Sequence, residues 1–131
     1  MSQEIVETVR RMYEAFHRSD FDGALAYFDP EVEVDASMRV DEGIGRGRDA
    51  VYAMVARWVG AWDEWREEIE EIRDLGSQVL VASKQHGRAK GSGIEVETHY
   101  AVLYEIRGDK ITRMTLYSEA AEALEAAGVR E

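Results

Sequence analysis

Residues 94–106 alternate without interruption. Ile94, Val96, Thr98, Tyr100, Val102, Tyr104 and Ile106 fall on one side, and Glu95, Glu97, His99, Ala101, Leu103 and Glu105 on the other. A period of two held for that long specifies a strand, and one apolar side means that the strand is half buried. It belongs to a meander. Gly76-Ser77 turns the chain into a strand that begins at Val79-Leu80-Val81-Ala82 and runs to about Arg88. Gly91-Ser92-Gly93 is a hairpin loop, and Arg107-Gly108-Asp109-Lys110 leads into a last strand over 111–117.

The first half of the chain has a different period. Ile5, Val9, Met12 and Phe16 recur at helical spacing over residues 3–18, widened by Val6 and Tyr13, with Ser2 placed to cap the N-terminus. Asp20 can cap a second helix over 21–28, which Asp29-Pro30 stops. Val32, Val34, Ala36 and Met38 alternate with Glu31, Glu33, Asp35 and Ser37, so 31–38 reads as a strand. The glycines of 41–47 read as a loop, and a helix starts at Arg48, with Trp58, Trp62 and Trp65 on one of its faces. The Glu-rich stretch 64–71 would extend that helix to Leu75 by propensity. A helix of roughly thirty residues would be long for such a chain. The expected break is therefore near Asp63, with 65–74 a strand. Ser118 is placed to cap a short final helix, which Gly128 ends. Helices first and a strand meander after them give an α+β class, and 131 residues without linker or repeat suit a single domain, 1–131.

Composition removes several functions. A net charge of −11 repels phosphate backbones and anionic membrane surfaces, so neither nucleic acid nor membrane is an expected partner. No apolar run has spanning length, the start is polar and acidic, and the expected location is cytoplasmic. Cysteine is absent, which excludes disulfides and thiolate chemistry. His17, His86 and His99 show no ligand spacing, so no metal is expected. Gly43-Ile44-Gly45-Arg46-Gly47 lacks the strand and lysine context of a phosphate cradle, and no cofactor is expected. The run Glu64, Glu67, Glu68, Glu70, Glu71 reads as a solvated face.

Several stretches in this order resemble the SnoaL-like (ketosteroid-isomerase-like) branch of the nuclear-transport-factor-two-like superfamily. They are Val9 to Phe16 with Asp20, Phe28-Asp29-Pro30-Glu31-Val32, Gly45-Arg46-Gly47-Arg48-Asp49-Ala50-Val51, the Trp58 and Trp62 helix, Arg107 to Ile111, and Ala120 to Gly128. The resemblance covers nearly the whole chain. It implies a cone-shaped fold in which a curved, mixed or antiparallel sheet wraps the N-terminal helices and a long third helix. A small-molecule pocket would lie between the concave face and the first and third helices, and the convex face would form a homodimer. The fold hosts isomerases, cyclases, epoxide hydrolases, dehydratases and non-catalytic binders, so it does not fix the function.

The isomerase machinery is a helix-one tyrosine, a first-strand carboxylate and a protonated acid on a later strand. These positions map onto Met12, Ala36 and Val102, all apolar. A one-residue slip would reach Tyr13 and Asp35, but Asp35 shares its face with Glu31 and Glu33. The usual isomerase set is therefore absent. The expected ligand is an apolar or aromatic compound of aromatic or terpenoid size, bound by Phe16, Val34, Met38, Trp58, Trp62, Tyr100 and Met114 with His86 near the mouth. The alternative is a cofactor-free acid–base enzyme in which His86, Tyr100 and Tyr104 act, although His86 shares parity with Lys84 and Arg88 and reads more readily as a surface residue. A second alternative is a non-catalytic interaction module. The homodimer is expected through the convex row of Ala101 and Leu103 beside His99.

Overall fold

A computed structural model describes residues 2–39 and 42–128, apart from the Ser2 side chain. The expected Ser2 cap thus lies outside what is described. Helix α1 (Ser2–His17) buries Ile5, Val9, Met12 and Tyr13 along one stripe. Helix α2 (Phe21–Leu25) is shorter than expected and is capped by the Asp20 carboxylate, which accepts from Gly23 N–H at 2.9 Å. Strand β1 (Phe28–Asp35) starts ahead of the expected strand and includes Pro30. It also stops early, because the Asp35 carboxylate accepts from the Ser37 N–H at 3.0 Å and bends the chain away before Met38. Part of the expected glycine loop forms an edge strand, β2 (Ile44–Arg46), paired antiparallel to β1.

Helix α3 (Arg48–Gly60) is followed after one residue by β3 (Trp62–Asp74). Trp62 and Trp65 are thus on a strand and not on the helix of Trp58. The ladder of eleven residue pairs between β3 and β4 (Gln78–Ala89) outweighs the local helix preference of the glutamates. Strands β5 (Glu95–Arg107) and β6 (Lys110–Tyr117) complete one open, curved sheet in the order β2-β1-β6-β5-β4-β3. All neighbours are antiparallel except β1 and β6, so the sheet is mixed. The fold is α+β, with α1, α2 and α3 on the concave side.

Parity along the central strands divides the core. Val79, Val81, Val102 and Tyr104 join α1 and α3 in the main core. Leu80, Ala101 and Leu103 point the other way and pack under α4 (Ala120–Ala126) through Ala123 and Leu124. Ala101 and Leu103 are 0% and 6% exposed. The row expected to be bare and to drive dimerisation is covered by the chain's own last helix. Glu119, not Ser118, holds the cap position of α4, and the Ser118 hydroxyl bonds the Glu122 carboxylate.

Candidate functional site

The concave face does not close completely on the helices. Between them lies a mostly apolar chamber of about 100 Å³. Phe16 comes from α1 and Val55 and Trp58 from α3. Trp65 comes from β3, Tyr100 from β5 and Met114 from β6. Each is delivered by the inward parity of its element. The chamber adjoins a groove of about 640 Å³, which shares Phe16, Phe21, Tyr52, Val55, Val59, Trp65 and Glu67 with it. Four of those are aromatic, and their rings touch in series. Phe16 lies 5.7 Å from Trp65 and 5.9 Å from Phe21, and Phe21 lies 6.2 Å from Tyr52. The exposed Phe21 and Tyr52 place the mouth there.

A short polar chain crosses one wall. The Gln85 carbonyl oxygen accepts from the indole N–H of Trp58 at 2.7 Å and of Trp65 at 3.2 Å. The Gln85 amide donates to Glu67 Oε2 at 3.0 Å. Glu67 Oε1 lies 2.8 Å from His17 Nε2, so the bridge runs from the inner wall to the groove rim. The Glu67 side chain is only 6% exposed. A carboxylate is stable at that depth because each oxygen has a hydrogen-bond partner.

Elsewhere, the hydroxyls of Tyr13 and Tyr104 meet at 2.7 Å, both buried. Burial pushes both phenols above the ordinary tyrosine range, and the charge of Glu67 adds to the effect. They therefore stay neutral. One O–H is spent within the pair, and the other proton is left for a further acceptor. Arg39 reaches the chamber from the turn after β1, with its guanidinium carbon 4.4 Å from the Trp58 ring centre and 5.0 Å from that of Tyr100. Burial lowers its pKa, opposed by Tyr100 and Glu42.

Of the residues expected at the pocket, Phe16, Trp58, Tyr100 and Met114 line the chamber, and Val34, Met38 and Trp62 do not. Val34 is buried on the expected face but sits deeper in the core. Met38 lies beyond the Asp35–Ser37 turn and is 36% exposed. Trp62 lies across Gly87 at the end of the sheet, 5.4 Å from Trp58; a Cβ on Gly87 would fall 2.7 Å from the Trp62 ring. His86 is not near the mouth. It faces outward between Glu68 and Glu97, at 3.4 and 3.6 Å. Tyr104 does line the chamber, with its hydroxyl held by Tyr13.

The mapped isomerase positions behave as their side chains dictate. Met12 and Val102 line the chamber without polar groups, and Ala36 is buried. Asp35 does not line the chamber. The two bonds from Ser37 hold its carboxyl below the usual range. Glu67, Gln85, His17 and Arg39 were not expected at the site. For Glu67 the signal existed, since it alternates with Trp65 and Ile69; the count of surrounding glutamates concealed it.

Known proteins agree with this architecture. A profile for the SnoaL-like domain matches residues 9–114. An NTF2-like protein of unknown function from Burkholderia pseudomallei K96243 superposes with a TM-score of 0.76 at 24% identity, covering 93% of this chain and 95% of that one. TerC, co-crystallised with polyporic acid, gives 0.75 at 19% identity over 95% and 98%. A candidate SnoaL-like polyketide cyclase from Jannaschia sp. CCS1 gives 0.78 at 16% identity over 99% and 95%. No curated protein matches the chain. Identities this low speak for the fold alone, but the profile spans most of the sequence: the chain belongs to the SnoaL-like domain family.

Proposed function

We propose that this protein holds a small aromatic or apolar molecule in the chamber between α1, α3 and the inner sheet face. The observation that carries this reading is a ring-lined chamber that shares seven lining residues with an outer groove. Size narrows the ligand. An apolar cavity of about 150 Å³ takes benzene; a chamber of about 100 Å³ is smaller, so it takes at most a single ring, with any remainder in the groove. That is smaller than the terpenoid scale suggested by sequence. The binding of polyporic acid by TerC supports a ligand in this fold. Titration with one-ring aromatics should change the emission of Trp58 and Trp65. Met114→Trp should fill the chamber and abolish the response while the protein stays folded. Undiminished binding in Met114→Trp would place the ligand elsewhere.

A second reading, acid–base chemistry without a cofactor, is favoured by Glu67, a carboxylate held at the chamber wall by Gln85 and His17. It replaces His86, which faces away. In this reading Glu67 takes a proton from the ligand and a tyrosine hydroxyl of the Tyr13–Tyr104 pair steadies the resulting charge. A substrate whose turnover survives Glu67→Gln would end it. The homodimer also stays a proposal. Without the covered row, its support is the outer face of β3–β5, where Glu68, Lys84, Arg88 and Glu97 alternate in sign. A monomer by sedimentation at about 10 μM in low salt would sink it. No helix among the described residues is long and apolar enough to cross a membrane, and the cytoplasm remains the proposed location.

A further inference from the structure

We infer that Arg39 anchors an anionic group, and that the molecule the chamber takes is a one-ring aromatic carboxylate; this deepens the ligand reading above and rests on it. The chain has 27 acidic residues against 16 lysines and arginines, so carboxylates are plentiful. Yet among the described residues none lies within ion-pairing distance of Arg39. Glu42, whose charge acts on it, is taken by Arg57 through two bonds of 2.8 and 2.6 Å. Trp58 and Tyr100 cover the guanidinium with their rings. Ring faces attract its charge but do not accept its in-plane N–H groups, and the Tyr100 side chain adds one hydrogen bond that favours the charged form. One N–H points to the Met54 sulfur at 3.4 Å, a weak acceptor, and the buried Nε has no partner among the described residues. A cation kept this way is costly until a planar oxyanion meets it.

Placement also sets the orientation. Arg39, Trp58 and Tyr100 line the chamber but not the groove, whereas Glu67 lines both. A carboxylate is therefore drawn inward to Arg39 and repelled from Glu67 on the groove side, with its ring among Phe16, Trp58 and Trp65. A phosphate or sulfate would gain the same cation but bury its remaining oxygens against apolar walls. A single-ring carboxylate satisfies both the charge and the surface.

The test is calorimetry on the full chain with benzoate and its neutral isostere benzamide. Benzoate should bind about tenfold or more tighter, the value of a charge-assisted hydrogen bond. Arg39→Gln should erase the difference by weakening benzoate, with benzamide changed by less than about twofold. Arg39→Lys should retain part of the preference, since it keeps the charge and loses the planar fork. In ¹⁵N NMR the Arg39 Nε–H signal should shift with benzoate and not with benzamide, a readout that stands even if Arg39→Gln folds poorly. Equal affinity for the two probes, or a preference that survives in a folded Arg39→Gln protein, overturns the inference while leaving the ligand reading intact. Binding of neither probe overturns both.

Discussion

Gln85 and His86 are neighbours on β4, and they lie in two different environments. Gln85 points into the concave side, is 8% exposed, and joins Trp58, Trp65 and Glu67 through hydrogen bonds of 2.7 to 3.2 Å. His86 points to the convex side and is flanked by Glu68 and Glu97. Its Nε2 is close enough to Glu68 for an ion pair at 3.4 Å, yet is buried without an aligned hydrogen bond. The inner residue is held by a network in a dry wall, and the outer one by loosely aligned charges near water. A neutral amide at an inner position organises more than a titratable ring at an outer one. What a residue can do here depends on the face of the sheet it reaches more than on its type.

The outer face is itself divided, and the largest predicted effect tests that division. Leu80 faces outward but is fully buried under α4. Leu80→Ala should cost about 2–5 kcal/mol in urea unfolding, as for a core cavity. A loss below about 1 kcal/mol would mean that α4 does not seat on the sheet. Gln85→Leu tests the inner network. It leaves two indole N–H groups without their acceptor and one oxygen of Glu67 without its donor, so a loss of about 2–4 kcal/mol is expected. A neutral outcome would mean that the groups find water or one another.

The inner face should also reveal itself through pH. Tyr13 and Tyr104 have raised pKa values because burial disfavours the phenolate. In the unfolded chain each ionises near pH 10, while in the fold each stays protonated. Their contribution is therefore fully present below about pH 10 and is lost as pH rises toward the folded pKa. The loss should amount to about 1.4 kcal/mol per pH unit for each tyrosine. Urea midpoints between pH 8 and 11 should stay flat and then fall, and the fall should be shallower in Tyr13→Phe/Tyr104→Phe. A fall of the same steepness in that double variant would assign the effect to other groups.

These contrasts also mark what was legible in the sequence. Alternation placed Tyr100, Val102 and Tyr104 on one face and Ala101 and Leu103 on the other. The meander and α1 were equally readable, because long periodic segments carry their own signal; the break after α3 came only from the excessive length of the alternative helix. Alternation gives a face but not a depth: Val34 obeys it and is core, whereas Glu67 obeys it and lines the chamber. Arg39 follows a turn, where no period applies, so only the folded chain brings it to Trp58. The docking of α4 on Leu80 and Leu103 is likewise a tertiary event, and without it the outer row looked bare.

The smallest predicted effect bears most directly on the contrast between the two faces. His86 was the most suggestive titratable residue in the sequence, and its flanking carboxylates look at first like a catalytic arrangement. Geometry argues otherwise. Glu68 and Glu97 are 57% and 54% exposed, so water screens both, and the chamber lies on the other side of the strand. Exposed pairs of this kind are worth little. Removing the ring also frees a nitrogen that had no aligned partner, which offsets part of the lost contact. His86→Ala should therefore change stability by no more than about 0.5 kcal/mol. It should also leave the affinity for benzoate unchanged. The same measurements on Gln85→Leu should show loss in both. If His86→Ala weakens ligand binding and Gln85→Leu does not, the ligand sits on the convex face, and the chamber is only a packing defect of the core.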